Sequence, residues 1–499
     1  MSLARTAFTR RVLPVLLVVC ALAAPAAADW TLVQEQWFVV ELGGARAGSM
    51  VSTLESDDGR FRSSMRMMIT LGRGGEAPPI EMSTSFEETA EGEPLLIQAM
   101  QKMGVQPVES QWRFLDDTVV YTSRQGGRET VRETEAPEGE WLTPMGVHRY
   151  WLQRVAAGDT RISYFTVDGQ SGLEPFEVSH TFLENGVYVF DGSEIPVTLW
   201  RTGTSLLDVT AIEHYTAEGD KVYEEIVMPG LGKMVTRLVT KAQAHAGEGE
   251  PAPEILVRSF VEPSRPIPRA HSATTATLRL RVENGTFPEL PSAAAQRVSP
   301  ADDGGTVLLT IDMNDNLPAE AADLLDRSYV ESSAMVDADD PLIGTLAARA
   351  VRDAGDDALA RADALRGAVH RLVSEKGLGT AFATASETAR TRTGDCSEHA
   401  VLLCAMLRAE EIPARVAVGL VYADEFLGHR DIFGWHMWTQ ALIDGRWVDL
   451  DATLGRRYHA AHVLTAVSSL AQGGIDATFA STLMLMGNLQ IDVIDVGYE

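Results

Sequence analysis

Cys396 is the residue of this sequence best placed for nucleophilic chemistry. Asp395 and Glu398 have the N-cap and N3 spacing of a capping box, which predicts a helix that begins at Cys396. A thiol there feels the positive end of the helix dipole and nearby unpaired N–H groups, which stabilise a thiolate and an oxyanion. The alternative, a small buried hydrophobe, fits Cys404 in the middle of the same helix better.

A histidine and an aspartate follow in a predicted β-hairpin. Asp444-Gly445 is the signal of a two-residue type I′ turn, and this turn fixes the pairing of the strands on either side. In that register His436 lies on the same face as Asp451, one diagonal step and about 7 Å away between Cα atoms. Asp451 is therefore expected to orient His436 as the base that serves Cys396.

These motifs resemble those of the transglutaminase-like family, with the exported bacterial members as the nearest parallel. The resemblance covers roughly residues 340–470 and rests on Gly-Asp-Cys396 opening a helix, Ile-Pro-Ala-Arg-Val leading to Gly419, His436-x-Trp438, and Gly-Arg-Trp-Val-Asp-Leu-Asp451. It implies a papain-like α+β core in which the nucleophile helix packs on an antiparallel sheet. It also implies a catalytic triad of Cys396, His436 and Asp451. Ala452, where many members have proline, is a small departure.

Zinc binding is the alternative chemistry for the cysteines and histidines of this region. Cys396, His399, Cys404 and the pair His459-x-x-His462 have the side chains that zinc prefers, but their spacings match no recognised closed site. We therefore expect His459 and His462 to face solvent or to cap an element after the catalytic strand. No acidic loop has the spacing of calcium ligands, and neither a metal nor another cofactor is predicted.

The N-terminus has the organisation of a secretory signal peptide. Arginines precede an apolar run at 12–22, and Ala26 and Ala28 mark a small-residue cleavage site. An uncleaved anchor is the alternative, although the run is shorter than the ~20 residues that cross a bilayer. Residues 1–28 are thus predicted to direct export to the periplasm or beyond, with no membrane association expected after cleavage.

The two cysteines that would remain after cleavage are not expected to pair with each other. Cys396 and Cys404 are eight residues apart in the predicted helix, so their Cα atoms lie about 12 Å apart, beyond the ~7 Å limit of a disulfide. At least one thiol should stay free in a compartment that oxidises thiols.

The chain before the cysteine region is predicted to be a large β-rich accessory domain. Residues 29–240 alternate apolar and polar residues between turn signals, as antiparallel strands do. Gly43-Gly44 is expected to separate two strands, and Asn185-Gly186 is expected to form a type I′ turn.

Composition then changes along the rest of the chain. Residues 241–269 are rich in Ala, Gly, Glu and Pro and are predicted to be a semi-extended linker. Residues 270–499 are predicted to be the transglutaminase-like domain, with its motif core at 340–470. The fold class is therefore α+β.

The net charge of the chain limits the kinds of partner that it can bind. The formal net charge of −28 argues against nucleic acid and anionic lipid, because phosphates need a basic surface. The predicted partner is a protein or peptide substrate. We expect a thiol enzyme that acts on peptide or glutamine carboxamide bonds through an acyl-thioester, with hydrolysis favoured over cross-linking. A protein-glutamine transglutaminase and a catalytically idle binding module are the alternatives.

Overall fold

The computed structural model describes residues 30–498, except 104–105, 116–117, 126–127, 207–208, 229, 248, 285, 302–303, 380–381, 456, 472–481 and 483–484. The predicted signal peptide lies outside the described residues. Within them, no helix has the length and apolar character needed to span a bilayer.

A 14-stranded antiparallel sheet occupies the first half of the described chain. Two meanders build it, β8 back to β1 and β14 back to β9, and they join where β1 pairs with β14. The strands are β1 (Thr31–Leu42), β2 (Ala45–Asp57), β3 (Arg60–Thr70), β4 (Pro79–Thr89), β5 (Pro94–Lys102), β6 (Val108–Leu115), β7 (Thr118–Gln125), β8 (Arg128–Glu135), β9 (Arg161–Asp168), β10 (Gly172–Phe190), β11 (Ser193–Thr204), β12 (Thr210–Tyr215), β13 (Lys221–Met228) and β14 (Gly232–Val239). Helix α1 (Pro144–Ala156) connects the two edge strands, β8 and β9. The predicted antiparallel β-rich region is confirmed, including the turn at Gly43-Gly44.

The turn predicted at Asn185-Gly186 is wrong. Strand β10 runs through both residues, and the chain reverses at Asp191-Gly192, whose φ angles are 48° and 77°. Gly186 packs against the neighbouring strand: a Cβ there would lie 2.7 Å from Leu199 Cδ1, so the leucine side chain would have to shift. A glycine inside a strand thus carried the same sequence signal as a turn glycine.

The segment 241–269 follows the sheet without long regular elements. It starts with the short helix α2 (Lys241–His245) and then packs along the second half of the chain. Val261 exchanges two backbone hydrogen bonds with Phe433, of 3.0 and 2.8 Å, and Ile267 is fully buried.

In the described residues after 269, the chain forms two four-stranded antiparallel sheets, a two-stranded parallel sheet and four α-helices. One sheet has the order β16-β17-β15-β24 and the other β22-β21-β20-β23. The elements are β15 (Ala273–Val282), β16 (Gln296–Pro300), β17 (Thr306–Asp312), α3 (Pro341–Val351), α4 (Ala358–Leu372), β18 (Glu375–Lys376), α5 (Ala385–Thr391), β19 (Thr393–Gly394), α6 (Cys396–Ala409), β20 (Ala414–Phe426), β21 (His429–Ile443), β22 (Arg446–Leu450), β23 (His462–Ser468) and β24 (Leu489–Tyr498).

Helix α6 is the central element of this half. Every residue from Ser397 to Arg408 is buried, because α6 packs on β20 and β21 on one side and against α3, α4 and α5 on the other. A short helix needs such packing to be stable, since its propensity alone is marginal. The predicted α+β core, with the cysteine helix packed on an antiparallel sheet, is confirmed.

Candidate active site

Cys396 is the first residue of α6, as the capping box predicts. Ser397 N donates to Asp395 Oδ1 at 2.9 Å, and Asp395 N donates to Glu398 Oε2 at 2.8 Å. Both cysteines are free thiols, but Cys396 is partly exposed whereas Cys404 is fully buried. Burial raises the pKa of Cys404, which keeps that thiol protonated and inert.

The hairpin that carries His436 has the predicted turn and register. Asp444 and Gly445 have φ angles of 50° and 73°, as a type I′ turn requires, and Ile443 pairs with Arg446. His436 Nε2 donates to Asp451 Oδ2 at 2.8 Å. The structure thus brings the predicted histidine and aspartate into direct contact.

The hairpin is also fixed against the cysteine helix. Thr439 Oγ1, in the buried middle of β21, donates to Ala400 O of α6 at 2.9 Å. His436, three residues earlier on β21, lies on the opposite face of the strand and lines the same cavity as Cys396. Cys396 and His436 therefore face one cavity, with Asp451 bonded directly behind His436.

Asp451 is fully buried and completely hydrogen-bonded. Its Oδ1 accepts from the backbone N–H groups of Thr453 at 2.8 Å and Leu454 at 3.2 Å. Burial favours the neutral acid, but the charge and hydrogen bond of His436 outweigh it and hold the pKa of Asp451 well below its usual range. The carboxylate is thus ionised and held in one orientation.

His436 is correspondingly stabilised as a cation. Burial alone would lower its pKa, but the charge and hydrogen bond of Asp451, with a further contribution from Cys396, raise the pKa of His436 to about 10. The arrangement favours an imidazolium beside Cys396 at neutral pH, and an imidazolium is the natural partner of a thiolate.

The expectation that His459 and His462 face solvent is wrong, because both side chains are buried beside this site. His462 Nε2 lies 3.3 Å from Asp451 Oδ2, and His462 Nδ1 lies 2.9 Å from the carbonyl oxygen of His459. Both of these oxygen atoms are hydrogen-bond acceptors. Burial lowers the pKa of His462, and the hydrogen bond and charge of Asp451 oppose this shift without cancelling it. The cause is β23, which begins at His462 and pairs with the interior strand β20, a long-range pairing without a local sequence signal.

The cysteine and histidine set considered for zinc does not gather at one point. Among the described residues, the group whose possible ligand atoms converge is His436, Asp451 and His462, with all atoms within 4.8 Å of one another. Hydrogen bonds between these three side chains already use the atoms that a metal would need.

Cys396 and His436 open onto a cavity of about 960 Å³. Its wall is largely apolar and includes side chains of the β20–β21 hairpin, Phe426, Leu427, Ile432 and Trp435. A second wall comes from the β-rich half of the chain, where residues 73–76 contribute Arg73, Gly74 and Glu76. This contribution was not predicted from the sequence, and no local motif signals it.

Comparisons with known proteins bear on the part of the chain that holds this site. Residues 344–452 match the family model described as the transglutaminase-like superfamily. A search of curated proteins found no significant match.

Solved structures give distant similarities. One is a protein of Cytophaga hutchinsonii whose assignment as a cysteine protease is provisional, with 16% identity, 46% of this chain and 86% of that chain covered, and a TM-score of 0.27. Another is the periplasmic domain of TgpA from Pseudomonas aeruginosa, with 14% identity, 39% and 88% covered, and a TM-score of 0.25. The region of residues 344–452, which contains Cys396, His436 and Asp451, is a domain of the transglutaminase-like superfamily.

Proposed function

We propose that this protein is an exported thiol hydrolase that cleaves peptide or glutamine carboxamide bonds. The observation that carries the proposal is the hydrogen bond of His436 to the buried carboxylate of Asp451, in the same large cleft as the partly exposed free thiol of Cys396. A binding module has no physical need for a cationic imidazole held against a free thiol at a helix start.

In the proposed reaction, the sulfur of Cys396 attacks the substrate carbonyl carbon while the carbon–oxygen double bond opens to an oxyanion. Backbone N–H groups at the start of α6 stabilise that charge. The carbon–nitrogen bond then breaks, and His436 gives its proton to the leaving amine or ammonia. The product is an acyl-thioester on Cys396.

Water resolves the acyl-thioester in the second half of the reaction. Neutral His436 takes a proton from water as the hydroxyl oxygen attacks the thioester carbonyl, and the sulfur leaves as a thiolate. Hydrolysis is favoured because water is present at tens of molar, so an amine acceptor competes only where a second site concentrates it. Asp451 keeps the ring of His436 oriented through both proton transfers.

The test uses the purified mature protein with a glutamine-containing protein substrate, with and without a fluorescent primary amine. We expect ammonia release or new N-termini that exceed amine incorporation and that disappear in Cys396→Ala. Amine incorporation that outpaces both hydrolytic products would instead identify a cross-linking enzyme. No product of any kind, with a thiol as unreactive as free cysteine, would support the binding module.

Export is tested separately. Expression of the full-length chain in a Gram-negative host, followed by fractionation and N-terminal sequencing, should give a periplasmic or secreted protein cut after Ala28. A protein that keeps its first residues and sediments with membranes would support the uncleaved anchor.

A further inference from the structure

The loop between β3 and β4 connects the 14-stranded sheet to the active-site cleft. Gly72 N donates to Pro253 O at 2.8 Å, and Ile255 N donates back to Gly72 O at 2.9 Å. Gly74 N donates to the carboxylate of Glu254 at 3.0 Å. The backbone of this loop is therefore held by the segment that runs between the two halves of the chain.

The same loop packs closely on the rim of the cleft. Gly74 has a φ of 64°, and a Cβ at this position would lie 2.5 Å from Leu427 Cδ1 and 3.2 Å from Leu378 Cδ1. Glycine therefore suits this position for both conformation and space. This packing leaves the neighbouring Arg73 facing the start of α6.

Arg73 forms an ion pair with Asp395, the residue that caps α6. The side chain of Arg73 is 20% exposed and that of Asp395 is 7% exposed, so the pair is largely shielded from water. Asp395 uses its other oxygen to accept from Ser397 N at 2.9 Å and from Ser397 Oγ at 2.7 Å. The residue immediately before Cys396 is thus held by groups from both halves of the molecule.

The charge of Asp395 gives this contact a consequence for the chemistry. Its neighbour Glu398 is fully buried, and burial, together with the charge of Asp395, raises the pKa of Glu398 to about 8. Of the two carboxyl groups of the capping box, Asp395 is the one that forms an ion pair with Arg73. Without a counter-charge, this carboxylate would oppose a thiolate and an oxyanion at Cys396.

We propose that Arg73 is a positioning residue that the β-rich sheet supplies to the active site, where it neutralises Asp395 and so keeps the thiol of Cys396 reactive. The proposal assigns the sheet a part in catalysis: it completes the electrostatics of the nucleophile and lines one wall of the substrate cleft. It rests on the proposed function, since it needs Cys396 to be the nucleophile.

The test measures the rate of alkylation of Cys396 by iodoacetamide between pH 5 and 9 in the full mature chain, read by mass spectrometry of the Cys396 peptide. We expect Arg73→Ala to slow alkylation at pH 6 by about tenfold and Arg73→Lys, which keeps the charge, by no more than about twofold. Arg66→Ala is the matched control, because Arg66 pairs with Glu81 on the same sheet with 58% of its side chain exposed. Thermal unfolding checks that each variant is folded.

A second substitution separates charge from shape. Asn is also a good N-cap, so Asp395→Asn keeps the cap but removes the charge that Arg73 compensates. If Arg73 acts through that charge, Arg73→Ala should slow alkylation about tenfold with Asp395 present and by less than about twofold in the Asp395→Asn background. Equal slowing in both backgrounds, or alkylation of Arg73→Ala at the rate of Arg66→Ala, would overturn the proposal.

The same assay distinguishes this proposal from the proposed function. A wild-type thiol that reacts no faster at pH 6 than free cysteine would refute the proposed function before Arg73 is changed. A wild-type thiol that reacts fast, together with an Arg73→Ala variant that is equally fast, would refute only the role of Arg73.

Discussion

Replacing Asp451 with asparagine should remove most of the activation of Cys396. The rise in the pKa of His436 from 6.5 to about 10 corresponds to roughly 5 kcal/mol in favour of the imidazolium. Asparagine retains the shape of the side chain but carries no charge, while the burial of His436 stays. The pKa of His436 should therefore fall below its ordinary value, and the ring should be neutral at pH 7.

The expected result is a loss of about 100-fold in the alkylation rate of Cys396 at pH 6 to 7, even if only part of the electrostatic preference is lost. The assay is the pH profile of iodoacetamide alkylation, with turnover measured on the same samples. Asp449→Asn is the matched control. Asp449 lies on the same hairpin and accepts hydrogen bonds from Trp438 Nε1 and Gln440 Nε2. A folded Asp451→Asn protein with the wild-type profile would refute the assignment of Asp451.

Three further predictions concern the neighbours of the triad. Cys396→Ala should abolish turnover and keep the fold, whereas Cys404→Ala should keep turnover and lower the free energy of unfolding in urea by about 1 kcal/mol through a small buried cavity. Glu398→Gln should flatten the pH dependence of stability. The pKa of Glu398 in the folded protein is raised to about 8 from 4.5. The contribution of Glu398 to the free energy of unfolding is therefore fully present below pH 4.5 and is lost as pH rises toward 8. His462→Phe should lower turnover several-fold with little change in KM, and His462→Gln, which can still donate to Asp451, should lose less.

Each of these predictions has a clear contrary result. Equal loss of turnover in folded Cys396→Ala and Cys404→Ala would remove the distinction between the two thiols. Urea midpoints of Glu398→Gln that change with pH as in the wild type between pH 4.5 and 8 would show that this carboxyl is not the titrating group. Identical kinetics for His462→Phe and His462→Gln would show that the hydrogen bond to Asp451 has no catalytic effect.

Local signals account for the part of the site that the sequence could predict. The capping box of Asp395 and Glu398 involves residues three apart, and the turn at Asp444-Gly445 fixes a register by itself, so neither depends on distant chain. The helix start at Cys396 and the contact of its two partners on the hairpin follow from these short-range rules.

Long-range packing accounts for the rest. His462 reaches Asp451 only because β23 adds to the sheet beside β20, and Arg73 reaches Asp395 across more than 300 residues of chain. Neither residue stands in a motif, and a lone histidine or arginine is most often a solvated or satisfied side chain. The misplaced turn at Asn185-Gly186 has the same origin, since pairing with β11 continues the strand through both residues.

In the proposed mechanism, the nucleophile Cys396 lies between two carboxylate–cation pairs that have different chemical roles. Asp451 is paired with His436, a cation that can release and regain a proton, so this pair carries the proton transfers of the reaction. Asp395 is paired with Arg73, a cation that stays charged at every accessible pH. It follows that loss of His436 should change both the rate of Cys396 alkylation and the shape of its pH profile. Loss of Arg73 should lower the alkylation rate while His436 remains in place as the proton carrier. In the proposed mechanism, a cleft built in this way takes its electrostatics from local pairs, so the formal charge of −28 on the whole chain does not set the field at one thiol.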